Sequence, residues 1–215
     1  MIDVEKEQMR KRAPKMVEAL KKKNFDAHFF ETSSEARDFI VGQVEPKESA
    51  GFGGSITLRQ GMGLPDALRD KGVTVYDHWD ANGDPSRRLE LKRKHRSVDV
   101  FLTSMNAITV DGVMVNLDGG GNRVASTCSG PKRVIVVVGL NKVTADLDAA
   151  IHRTRHHASP LNAIRLKRKT PCVETGTCSD CSAQERICAM LLIMYKKPGD
   201  IDKFTVVLVN EEMGY

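Results

Sequence analysis

Three groups of residues in the chain have types and spacing suited to chemistry. The first is GFGGS at residues 51–55. A short strand that runs into paired glycines and then a serine-capped helix turns several backbone N–H groups toward one concave spot. The helix dipole adds positive potential there, which suits phosphate or carboxylate. Gly53, Gly54 and Ser55 are the candidate binding residues, although a tight strand-to-helix turn calls for the same glycines with no ligand. The second group lies in residues 102–139, LTSMNAITVDGVMVNLDGGGNRVASTCSGPKRVIVVVG. Asn106, Asn116, Gly119, Gly120, Gly121, Asn122 and Arg123 form a polar, glycine-rich set inside an apolar region. Asn116 and Asn122 can donate hydrogen bonds to a carbonyl or carboxylate, but cannot act as acid or base. Arg123 can grip a carboxylate in two-pronged fashion, or can be a surface arginine at a helix start. Asp111 is the candidate catalytic residue, as the one general base within this region, and is equally well read as a turn residue.

The third group is Cys172, Cys178, Cys181 and Cys188, spaced C-x5-C-x2-C-x6-C. A C-x2-C core with two more thiols nearby fits a four-thiolate zinc or iron–sulfur site. The spacing matches neither ferredoxins nor a paired zinc ribbon, and reduced thiols or a facultative disulfide are the alternatives. Cys128 lies apart in sequence and reads as a small buried hydrophobe. His152 and His156 stand four apart on a helix, but the run between them is HRTRH, without the acid of a zinc-protease motif and with arginines that repel a cation. They read as a solvated face. His28, His78 and His95 are isolated and receive no role.

The elements that must position these residues follow from periodicity and turn signals. Residues 4–23 are helical in pattern, with a kink or break expected at Pro14. Strand signals at 26–30, 49–53, 73–76, 98–103 and 133–138 alternate with helix signals at 35–44, from Ser55, at 64–71 and at 84–96. That alternation argues for a largely parallel sheet with helices on both faces. Residues 133–138 form a continuous apolar run suited to a sheet centre. Asp111-Gly112 between apolar runs signals an added β-hairpin at 107–116. Helices follow at 124–128, 144–157 and 161–166, and then a cysteine-rich loop at 170–188. Residues 187–195 are apolar and fit a strand or a helix by period; the strand is favoured, with 203–209 as its hairpin partner. One domain spanning residues 1–215 is expected, with residues 1–23 as an N-terminal helical segment.

The 215 residues carry a net charge of +5, with 40% apolar, 28% charged and 5% aromatic residues. A chain of this length buries roughly 70% of its unfolded surface, so no disulfide staple is needed. Basic runs at 11–23, 87–96 and 165–169 lack interleaved aromatics and read as solvated helix faces, which argues against a nucleic-acid partner. No apolar run approaches a membrane span, and MIDVEKEQMRKR lacks the apolar centre of an export signal. A cytoplasmic location and no membrane insertion are the expectation, and cysteines there are free, metal-bound or catalytic rather than paired.

TSMNAITVDGVMVNLDGGGNRVASTCSGPKRVIVVVG, GFGGSITL at 51–58 and TPCVETGTCSDCSAQERIC together resemble the LUD domain, the lactate-utilisation family, across nearly the whole chain. The resemblance implies an α/β fold like that of ribose-5-phosphate isomerase, glucosamine-6-phosphate deaminase and the CoA transferases, with glycine loops around phosphate or CoA. The isomerases' acidic run has no counterpart, since Val-Met-Val follows Asp111-Gly112, and isomerase activity is not expected. The family is linked to oxidation of L-lactate to pyruvate, often beside iron–sulfur proteins. The expected partners are therefore a small anionic ligand, iron–sulfur oxidoreductase subunits and further copies of the chain. The site is expected at the carboxyl ends of the strands, with the protein acting as a subunit or accessory factor. A stand-alone transferase or isomerase on a phosphosugar or acyl-CoA is a second reading, and an iron–sulfur electron-transfer or assembly partner a third.

Overall fold

The computed structural model describes residues 3–215; residues 1 and 2 of the expected N-terminal helical segment lie outside them. The strands in chain order are β1 (Asp26–Phe30), β2 (Ser49–Phe52), β3 (Thr74–Asp77), β4 (Val100–Ser104), β5 (Ala107–Thr109), β6 (Met114–Asp118), β7 (Arg133–Gly139), β8 (Val143–Thr144), β9 (Met190–Met194) and β10 (Lys203–Val209). The helices are α1 (Val4–Lys22), α2 (Ser33–Gly42), α3 (Leu64–Asp70), α4 (Pro85–Lys94), α5 (Asn122–Cys128), α6 (Leu147–Arg153), α7 (Ser159–Arg165) and α8 (Pro171–Thr175). Six strands pair in parallel in the order β1-β10-β7-β4-β2-β3, and a smaller sheet has the order β8-β5-β6-β9.

Side chains alternate across the large sheet, as strand geometry requires. Val134, Val136 and Val138 of β7 face a core shared with Met9, Met16 and Leu20 of α1 and with Ile108 and Met114 of the smaller sheet. Ile135 and Val137 face the opposite core, shared with Ile40 of α2 and with Leu64 and Leu68 of α3. Burying apolar surface on both faces explains the unbroken apolar run of β7. The hairpin at Asp111-Gly112 forms as expected: β5 and β6 pair antiparallel, with Ile108 opposite Met114.

Three local expectations are corrected. Pro14 lies inside α1 without ending it. The buried residues Met9, Ala13, Met16 and Leu20 hold the helix to the core on one side, while Pro14 is exposed on the other. Residues 187–195 and 203–209 do not form a hairpin. β9 joins the smaller sheet against β6, whereas β10 runs in parallel between β1 and β7. Alternation identifies a strand but not its partner, and the unbroken burial of β10 from Phe204 to Val209 is the mark of a central parallel strand. The helix expected from Ser55 is only a five-residue π turn, Thr57–Gly61. A second π turn, Thr154–Ala158, joins α6 to α7.

Candidate functional site

The carboxyl ends of β2, β3, β4 and β7 open into one cavity of 1120 Å³. Open parallel sheets place ligands at this edge because the loops there converge while the sheet behind stays rigid. Gly53, Gly54 and Ser55 follow β2, His78 follows β3, Ser104 ends β4 and Lys142 follows β7, and all line the cavity. Asn106, Asp118, Gly119, Gly120, Asn122 and Arg123 form a wall between the smaller sheet and α5. The two glycine-rich segments, about 65 residues apart in sequence, therefore meet around one space, and Asn106 joins them.

Gly54 is needed at its position. Its φ is +74°, and a Cβ there would stand 2.8 Å from the His78 ring. Ser55 Oγ accepts from the Leu58 N–H at 3.4 Å, a long contact at the start of the π turn. So short a turn carries little dipole, and attraction for an anion must come from side chains. The chain supplies them. Arg88, Lys92, Arg123, Lys142, Arg165, Arg168 and Arg186 line the cavity, against Asp84, Asp118 and Glu185. Backbone amides already hold the carboxylates. Asp84 caps α4 by accepting from the Ser86 and Arg87 N–H groups. Glu185 accepts from the Lys169 N–H at 2.9 Å. Asp118 accepts from the N–H groups of Gly120, Arg123 and Val124 at 3.2, 2.9 and 3.1 Å. Burial by itself would raise the Asp118 carboxyl, but the Arg123 charge and these donors outweigh it and hold the group below the usual range.

Lys142 is the most unusual group in the cavity. It is 4% exposed, and its Nζ donates to Ser104 Oγ at 3.0 Å. Burial, with Arg153 and Arg123 nearby, pushes it down to about 7. Lys92 is also lowered, by burial and by Arg88, which stands one helical turn earlier on α4. Burial, reinforced by Lys92 and Arg88, pushes His78 down to about 4, so its ring is neutral at pH 7. His95 behind it is likewise pushed to about 4 by burial and His78. Arg165 and Arg59 stack on Trp79 at 5.9 and 5.1 Å. A neutral imidazole, an indole platform and a surplus of cations, from the buried Lys142 to the exposed Arg88 and Arg186, suit an anion that also carries a flat or apolar portion.

The other candidates fall outside this cavity. Asp111 is exposed at the hairpin turn, where its carboxylate accepts a hydrogen bond from the Thr109 hydroxyl, and it does not line the cavity. Gly121 takes φ +77° before α5 and lies behind the lining residues. Asn116 is fully buried within β6, its amide without a partner among the described residues. Arg123 is partly spoken for: its guanidinium donates to the Leu117 carbonyl and faces Asp118, and burial lowers its pKa against the pull of that carboxylate. Asn106 Oδ1 accepts from the Leu117 N–H at 2.8 Å, which leaves only its amide N–H groups for a ligand.

Sequence reading missed His78, Arg88, Lys92, Lys142, Arg165 and Arg168. Two of the three basic runs taken for solvated faces contribute to the cavity. Arg88 and Lys92, four apart on a helix that follows a capping Asp84-Pro85, were the available signal. Lys142 had no signal, because its burial depends on strands distant in sequence.

The four cysteines line a second cavity of 260 Å³. All are free, and burial raises the Cys188 thiol. Cys128 packs against the core, where burial raises its thiol. His152 and His156 are exposed, their rings stacked at 4.5 Å. Among the described residues no helix is long and apolar enough to cross a membrane.

The LUD domain family matches residues 13–209. The structure is similar to the crystal structure of a DUF162 family protein from Deinococcus radiodurans, with a TM-score of 0.50 and 10% identity over 93% of this chain and 97% of that one. Ribose 5-phosphate isomerase from Plasmodium falciparum aligns with a TM-score of 0.34 and 14% identity over 53% of this chain and 52% of that one. The tetrameric eIF2B-beta2-delta2 complex from C. thermophilum aligns with a TM-score of 0.39 and 17% identity over 81% of this chain and 55% of that one. The first likeness concerns the fold alone, and the other two are too slight to bear on function. No curated protein matches the sequence.

Proposed function

The chain belongs to the LUD domain family, and from that premise we propose that it binds a small anionic organic acid, or a phosphate- or CoA-like ligand, at the carboxyl edge of its parallel sheet. We assign it a place in the oxidation of lactate to pyruvate, as a cytoplasmic subunit or accessory factor beside iron–sulfur oxidoreductase subunits. The observation that carries the ligand class is the cationic surplus around the cavity, with seven basic side chains against three acids that backbone amides already hold. Clefts lined by one sign of charge concentrate counter-charged ligands. Gly53 and Gly54 allow close approach, Arg88 and Lys92 reach in from α4, and Lys142 lies at the floor beside Ser104.

The size of the cavity favours a second reading of the same site. At 1120 Å³ it exceeds what a three-carbon acid fills, since drug-sized ligands occupy about 300–1,000 Å³. A phosphorylated sugar or an acyl-CoA, with the protein acting as a stand-alone transferase, uses more of that volume. Thermal-shift measurements with lactate, a phosphosugar and coenzyme A separate the readings. The proposal expects at least one of these anions to raise the melting temperature of the wild-type protein, and the Arg88→Ala variant to lose most of that rise. If all three leave the wild type unmoved at millimolar concentration, the site does not bind this class.

A further inference from the structure

The cysteine cavity is separate from the anion site in its chemistry, though not in its location. Cys172 lies on α8, Cys178 and Cys181 in the loop beyond it, and Cys188 just before β9, yet all four line the same 260 Å³ space. None is paired in a disulfide. We propose that this space holds a cubane iron–sulfur cluster, with each of the four cysteines ligating a different iron.

The arrangement of the thiols favours a cluster over a single ion. A structural zinc needs four donors converging on one point, with sulfur at about 2.3 Å from the metal. Among the described residues no three His, Cys, Asp or Glu side chains form a group that could hold a metal ion as they stand, so any bound group must draw the thiols closer around it. The four cysteines line one space of 260 Å³. A cubane occupies a volume and takes one thiolate at each of four corners, so its ligands stand farther apart than those of zinc.

The loop is also held in shape. Arg186 donates from Nη1 to the Cys181 carbonyl at 2.5 Å and from Nε to the Cys188 carbonyl at 2.9 Å. Its third contact is to Asp180 at 2.8 Å, which Arg155 also meets at 2.9 Å. One guanidinium thus ties two of the four ligand-bearing backbones together. A cubane with four thiolates is anionic, and Arg155 and Arg186, both lining the cavity, offset that charge. Cluster binding breaks each Sγ–H bond, releases the proton to solvent and forms an iron–sulfur bond, with iron and sulfide supplied as inorganic ions. Arg186 and Ile187 line both cavities, so the cluster sits against the wall of the anion site.

Anaerobic purification of the whole chain, followed by reconstitution with equal parts ferric and ferrous iron and with sulfide, tests the proposal. The expected product is brown. It carries about four iron and about four sulfide per chain and has a broad visible absorption band that bleaches on reduction. Cys181→Ser and Cys178→Ser lose most of the iron and the band, while Cys128→Ser keeps both. A colourless wild-type protein, or one that takes up zinc stoichiometrically and no iron, overturns the proposal. So does a Cys128→Ser variant that loses as much iron as Cys181→Ser. Because the wild-type measurement decides by itself, a cysteine variant that fails to fold does not rescue the idea. The thermal response to lactate, phosphosugar and coenzyme A is read on the same preparation, so failure of the cluster and failure of the anion site are told apart.

Discussion

At the scale of single residues, Lys142 and Asp111 show how position decides chemistry. The Lys142 ammonium is nearly sealed from water, and its proton leaves at about 7 rather than in the ordinary lysine range. The unfolded chain keeps that proton to much higher pH. Folding therefore releases a proton above about pH 7, and stability rises with pH across that window. Below it, both states hold the proton and the penalty of the buried charge is constant. Lys142→Met should abolish the rise, as read from urea unfolding of both proteins at about pH 6 and about pH 9. An unchanged pH dependence would show that Lys142 is not the group responsible. The same group links binding to protons, because an anion in the cavity favours the charged lysine and its affinity should fall as pH climbs past about 7. Asp111, by contrast, sits exposed at a hairpin turn outside the cavity. Asp111→Asn should leave anion binding within about twofold of wild type by calorimetry, a difference under about 0.5 kcal/mol. A loss of tenfold or more would restore Asp111 to the site.

At the scale of elements, the parts that could be read from sequence were those whose signals are local. The Asp111-Gly112 hairpin, the central strand β7 and the strand-to-glycine turn at Gly53 each announce themselves within a few residues. The pairing of β9 with β6, and the insertion of β10 between β1 and β7, depend on partners tens of residues away, which no local pattern encodes. The site divides in the same way. Gly53, Gly54, Asn106, Asn122 and Arg123 could be read because they cluster in two motifs. His78, Lys142 and Arg168 could not, because different loops bring them together. Pro14 is a further case in which tertiary packing overrides local preference. Interior proline costs a helix roughly 3 kcal/mol, yet α1 continues because its buried face is anchored. Pro14→Ala, exposed and free of core contacts, should raise the unfolding free energy by about 1–3 kcal/mol in a urea titration. No gain would mean that the helix has already relaxed around the ring.

At the scale of the whole molecule, two cavities of different chemistry share a wall. One is wide and cationic, opening on the parallel strand ends. The other is narrow and thiol-lined, against the smaller sheet. The net charge of +5 is not carried by solvated helix faces alone: most basic residues of α4 and of residues 165–169 are exposed, but the half-buried Lys92, Arg165 and Arg168 line the wide cavity. The most direct test is a calorimetric titration of coenzyme A, a phosphosugar and lactate into the wild-type chain and into the Lys142→Met and Arg88→Ala variants. Each titration is run at low salt and again at high salt, where the screening length contracts to about 3 Å at 1 M. Saturable one-site binding of at least one of these anions is expected, weakened by salt and by about tenfold or more in both variants, a loss of about 1.4 kcal/mol. Absence of binding by all three anions, or binding that both variants and high salt leave unchanged, would contradict the proposal.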